Sequence, residues 1–169
     1  MIVLWAALGI GIALVGELAM GRFVPGATAY VDIMLLPLAA YALRTSQRSA
    51  MSVGCVSGLL EDYWMEPRLF GLNALVKTIL GWGLGGLGAR FDLNTLGGRL
   101  GAGASLQLLD VLLQALFRRM FGEALGPFVP AALLVRAAAG GLLTAAVLAI
   151  VNKVGAARRR PAAPARRKA

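Results

Sequence analysis

Hydrophobic residues in this chain fall in long runs, with most charges and turn formers in the gaps between them. The first run covers residues 2–20, and the second covers 28–43 and stops at Arg44. The third, 49–60, ends at Glu61 and Asp62, and the fourth covers 69–88. The fifth covers 100–117, ahead of Arg118 and Arg119; the sixth opens in the cluster from Pro127 to Pro130 and continues to Val151. Apolar runs near 20 residues are what a bilayer core of about 30 Å demands of a helix, and proline suits a helix start. The pattern predicts an all-α integral membrane protein, a compact bundle of about six transmembrane helices over residues 1–152.

The third run is the short one. Its 12 residues reach about 18 Å as a helix. It spans only if Glu61, Asp62, Tyr63 and Trp64 extend the helix, with the aromatics at the interface and the acids buried or nearly so. A re-entrant segment is the alternative, giving five spans and termini on opposite sides. With six spans and both ends in the cytoplasm, the inner side carries Arg44, Arg48, Arg90, Arg99 and seven tail residues, eleven basic residues in all. Arg22, Arg68, Arg118 and Arg119 make four on the outer side, where Glu61, Asp62 and Glu66 form an acidic loop. That asymmetry orients the bundle. Residues 1–15 lack a basic n-region and a small-residue cleavage site, so they are expected to be a retained first helix.

Composition agrees and localises the charge. Of 169 residues 59% are hydrophobic and 15% charged, and the mean hydropathy is +0.75. The net charge of +9 comes mainly from the end of the chain, because residues 153–169 hold seven of the 17 basic residues and no acid. This stretch, with Arg158, Arg159, Arg160, Arg166, Arg167 and Lys168, has no means of burying a core and is expected to be a disordered cytoplasmic tail. Basic clusters beside a span attract anionic lipids. No aromatic residues interleave to stack on bases, so nucleic acid is not an expected partner.

Glycine, 22 residues in all, recurs at a small-residue spacing in Gly54-x-x-x-Gly58, Gly81-x-x-x-Gly85 and Gly97-x-x-x-Gly101. Such spacing lets helix backbones approach closely, within one bundle or against a partner's helix.

Asp32, Lys77, Asp110 and Arg136 all lie inside apolar runs. Ionisable groups at membrane depth face the bundle interior and pair. Counting along the helices puts Lys77 and Arg136 about 12 Å, Asp110 about 10 Å and Asp32 about 6 Å from the outer ends of their spans. Gln107, Asp110, Gln114 and Arg118 share one helical face, and Asn73 precedes Lys77 by four residues on another. A polar seam in the outer half of the bundle is expected, with Asp62 closing its outer mouth. It could be a register-fixing ion-pair network, a ligand cavity, or a site for a polar group of a partner helix.

Catalytic signatures are missing. The chain has no histidine and a single cysteine, Cys55, which removes the commonest general base and any Cys-rich metal site. No phosphate loop or metalloprotease motif is present. A non-enzymatic role without a cofactor is expected.

One stretch points to a family. Val31-Asp32-Ile33-Met34-Leu35-Leu36-Pro37 is followed by Tyr41-Ala42-Leu43-Arg44, then Gly58-Leu59-Leu60-Glu61-Asp62, then Leu69-Phe70-Gly71-Leu72-Asn73-Ala74-Leu75. Together these resemble the rod-shape-determining MreD family over about residues 28–120, with Gly58, Asp62, Gly71 and Asn73 in the family-like turn between helices three and four. The resemblance implies a non-catalytic scaffold of the cell-elongation complex in the bacterial cytoplasmic membrane. Its expected partners are an MreC-type bitopic protein and, directly or through it, a RodA-type glycan polymerase, its transpeptidase and the MreB filament. The same family is similar in fold to substrate-binding subunits of energy-coupling-factor vitamin transporters, which supplies a second expectation.

Overall fold

The computed structural model of the chain describes residues 2–23, 30–65, 69–90, 95–123 and 130–158. Every regular element within them is a helix. Helix α1 covers Ile2–Phe23, α2 Leu35–Ala42, α3 Gln47–Met65, α4 Leu72–Arg90, α5 Leu96–Met120 and α6 Pro130–Arg158. Three of them carry stretches long and apolar enough to cross a membrane: Ala6–Phe23, Leu96–Met120 and Pro130–Lys153.

Helix α3 meets the condition the sequence imposed. It carries Glu61, Asp62, Tyr63 and Trp64 within its 19 residues, about 28 Å of rise. The second run behaves differently. A continuous helix over 28–43 is expected, but only eight residues, Leu35–Ala42, are helical, about 12 Å. Residues 30–34 are non-helical, with Asp32 and Met34 buried. The reason lies at Asp32, whose backbone N–H and C=O bond to the Gln107 side chain instead of to helical partners. Position 28, where the run begins, lies outside the described residues. At the other end of the chain α6 continues through Arg158, five residues past the end of its membrane-spanning stretch at Lys153. Residues 159–169, with Arg159, Arg160, Arg166, Arg167 and Lys168, lie outside the described residues.

The short helix is the hub: α2 touches each of the other helices. Leu35, Leu38, Ala39 and Ala42 of α2 pack with Ala50, Val76, Leu80, Leu84, Ala102 and Leu106 into the main apolar cluster. Met34 joins Ile10 and Ala13 of α1 in a second.

Around this hub stand two closely packed pairs, α3 with α4 and α5 with α6. Glycine makes the first possible. A Cβ at Gly54 would overlap the Lys77 carbonyl, and one at Gly58 the backbone of Ala74. From the other side, a Cβ at Gly81 would come 2.5 Å from the Ala50 carbonyl oxygen and one at Gly85 2.9 Å from Gln47 Cα. Each glycine pair therefore faces non-glycine backbone of the other helix, the two pairs lying one after the other along the contact. In the second pair, Gly103 meets Thr144 and Gly140, and Gly140 meets Gln107. The third pair, Gly97 and Gly101, has nothing within 4 Å of either Cβ position.

Outside and inside are inverted relative to a water-soluble domain. Exposed positions include Leu8, Ile12, Val15, Trp82, Leu112, Leu134, Leu142 and Ile150, whereas Glu17, Asp32, Glu61, Asp62, Lys77 and Asp110 are buried. In water this arrangement would cost twice, once for apolar exposure and once for charge burial. An apolar solvent removes the first cost, leaving the charges to pair among themselves.

Candidate functional site: a buried charged core

The charged residues converge toward one end of the bundle, where α1, α3 and α5 finish and α4 and α6 begin. Glu17 lies six residues before the end of α1 and Lys77 five after the start of α4, about 9 and 8 Å along the axes. Arg136 lies six residues into α6 and Asp110 ten before the end of α5, about 9 and 15 Å.

One continuous network joins them. Lys77, fully buried on α4, pairs with Asp32 Oδ2 at 2.9 Å and with Glu61 of α3. Gln107 of α5 donates from Nε2 to the Asp32 carbonyl at 2.9 Å and accepts the Asp32 N–H at 3.3 Å. Its amide thus replaces the hydrogen bonds that the non-helical backbone lacks; irregular backbone at membrane depth requires such a partner. Arg136 of α6 donates from Nε to Gln107 Oε1 at 3.1 Å and from Nη2 to Asp110 Oδ2 at 2.8 Å. Gln114 Nε2 donates to the same Asp110 oxygen at 3.0 Å. All six residues singled out in the sequence, Asp32, Lys77, Gln107, Asp110, Gln114 and Arg136, belong to this network. Asp32, the shallowest by residue count, stands between Lys77 and Gln107.

Glu61, Arg118, Glu17 and Asp62 depart from the sequence reading. Asp110 pairs with Arg136, while Lys77 goes to Asp32 and Glu61, so Glu61 belongs to the interior and not to an acidic loop. Arg118, on the helical face of Gln107 and Asp110, is exposed and takes no part. Glu17 is the residue that the sequence reading missed. It is 4% exposed and lies near Asp32, Lys77 and the Met34 backbone. A signal for it exists, since Glu17 is the sole acid of α1 and a lone carboxylate in an apolar helix needs the same explanation as Asp32 or Asp110.

Asp62 does not close a mouth of the seam. It caps α4. Its Oδ2 accepts the N–H groups of Gly71 at 3.0 Å and Ala74 at 3.1 Å, and its Oδ1 accepts that of Asn73 at 3.3 Å. Helix N-termini leave such donors without intrahelical partners, and a carboxylate there also meets the positive end of the helix dipole. Gly71 adopts φ +91° to bring the chain into the cap. Gly58 lets α3 lie against Asn73 and Ala74. The four residues of the expected turn therefore meet in one place, with Asn73 buried one helical turn before Lys77.

At the opposite end, Arg44 hydrogen-bonds Asn152 of α6 and Gln47 donates to the Trp82 carbonyl at 3.1 Å. These contacts tie the α2–α3 turn to α4 and α6.

The geometry defines a helical chain with an apolar exterior and a buried, ion-paired core at a break in its second segment. Compared with known proteins, it matches no protein-family model, no curated sequence and no solved structure.

Proposed function

We propose that the chain is a non-catalytic, multi-pass subunit of the bacterial cytoplasmic membrane that scaffolds the cell-elongation complex in lateral peptidoglycan synthesis, as its resemblance to the MreD family implies. The observation that carries this reading is the α3–α4 corner. Gly58, Asp62, Gly71 and Asn73, which the resemblance groups together, form a single capped turn, and Asp32 of the same motif binds Lys77. A rigid corner of this kind suits a protein that works by presenting a fixed surface. The inverted distribution of apolar and charged residues supports the membrane setting, and the proximity of Arg44 to α6 supports the α2–α3 turn and the basic tail lying on one side, the cytoplasm.

On this reading the chain binds an MreC-type bitopic protein, and through it the glycan polymerase, the transpeptidase and the MreB filament. The tail rests on anionic lipid. Co-expression of the tagged chain with an MreC-type coiled-coil protein should give a stable complex in detergent. A Gly58→Leu exchange, which wedges α3 from α4, should weaken that complex.

A second reading, a substrate-binding subunit of an energy-coupling-factor transporter, draws on the interrupted second segment beside buried polar groups, since transporters place substrate and ion sites at such breaks. Purified protein carrying a tightly bound vitamin, with no affinity for an MreC-type partner, would replace the scaffold by the transporter.

A further inference from the structure

The charged core holds more acid than base. Glu17, Asp32, Glu61 and Asp110 are buried, and the cations paired with them among the described residues are Lys77 and Arg136. Arg136 balances Asp110 and Lys77 balances one of the other three, which leaves two formal negative charges. Buried carboxylates are not left uncompensated.

The surplus is concentrated at one point. Glu17, Asp32 and Glu61 each offer a carboxylate oxygen within 4.8 Å of the other two, close enough for one ion to touch all three. Glu17 Oε2 and Asp32 Oδ1 have no hydrogen-bond partner, although the two residues are only 4% and 3% exposed. Asp110, outside the three and fully buried, also leaves Oδ1 unpartnered, and its charge acts on that of Asp32. At Asp32 the oxygen that Lys77 does not take is the one in need of a partner, and Glu17 Oε2 shares that need.

We propose that Glu17, Asp32 and Glu61 bind a hard divalent cation of Ca2+ or Mg2+ chemistry beside the Lys77 ammonium. Three carboxylates, one ammonium and one divalent ion sum to zero. The donors are all oxygen, with no histidine in the chain, which selects hard ions over zinc or copper. Glu17 and Glu61 lie six and four residues from the ends of α1 and α3, about 9 and 6 Å, so the path from an aqueous face is short. The ion would fasten α1 to the non-helical stretch and to α3. Ion binding here is independent of the scaffold role: a chain that captures an MreC-type partner yet ignores divalent ions fails this inference alone.

The test uses the full-length chain in detergent micelles, stripped with chelator and held at fixed pH and ionic strength. Equilibrium dialysis with radioactive Ca2+, with Mg2+ as competitor, should show about one ion per chain, as the three-carboxylate geometry allows. Thermal melting should rise in CaCl2 or MgCl2 and not in NaCl. Glu17→Gln should weaken ion binding by about tenfold or more, while Glu123→Gln, away from the core, should leave it unchanged. Absence of a retained divalent ion with equal melting in every salt would overturn the proposal, protons or a partner's cationic side chain then supplying the charge. So would stabilisation by NaCl alone, or undiminished binding by a folded Glu17→Gln variant. If that variant does not fold, dialysis of the unsubstituted chain decides by itself.

Discussion

Replacing Asp110 with leucine removes the carboxylate that Arg136 Nη2 bonds in the core. Asp110 Oδ2 accepts from Arg136 Nη2 at 2.8 Å and from Gln114 Nε2 at 3.0 Å, and the Asp110 side chain is fully buried. Removing one member of a buried ion pair costs about 3–5 kcal/mol, mostly because the remaining charge stays desolvated. Removing both members is far cheaper, so Asp110→Leu with Arg136→Leu should recover most of the loss. The pairing itself can be tested by a double-mutant cycle, with unfolding by SDS in mixed micelles followed by circular dichroism. The Asp110–Arg136 cycle should give a coupling of about 2 kcal/mol or more, near the upper end for contacting residues. The cycle of Asp110 with Lys77, which lacks a direct contact in the network, should give distinctly less. Equal couplings in the two cycles, or a single variant as stable as the unsubstituted chain, would refute the assignment of Arg136 as the partner.

Other outcomes follow from the same geometry. Gly54→Ala forces a methyl group onto the Lys77 carbonyl and should cost about 1–3 kcal/mol by overpacking, whereas Gly97→Ala and Gly101→Ala meet nothing and should stabilise α5 by about 0.5–1 kcal/mol; SDS unfolding separates the two classes. Asp62→Ala leaves three N–H groups of the α4 terminus without their acceptor and should cost about 1–2 kcal/mol, with Asp62→Asn partly restoring stability in the same assay. Gln107→Leu strands the Asp32 N–H and C=O at about 1–3 kcal/mol for each unsatisfied group, and hydrogen exchange should quicken first at residues 30–34.

Residue by residue, the sequence determined which segments are helical and where charge is anomalous. Long apolar runs located α1, α4, α5 and the start of α6 to within a few residues, because burial against any apolar surroundings leaves the same local pattern. Asp32, Lys77, Asp110 and Arg136 announced themselves for the reverse reason, since a charge in an apolar run has to be explained by a partner. The glycine pairs at 54/58 and 81/85 were visible, but the same spacing at 97/101 leads nowhere, and nothing local distinguishes them. Only the tertiary structure decided who meets whom. The Gln107 side chain, 75 residues away, unwinds the second segment at Asp32, and a local hydrophobic pattern contains no trace of so distant a competitor for backbone hydrogen bonds. For the same reason Asp62, adjacent to Glu61 in the chain, serves a different purpose, because successive helical residues face directions about 100° apart. One carboxylate enters the charged core and the other caps α4.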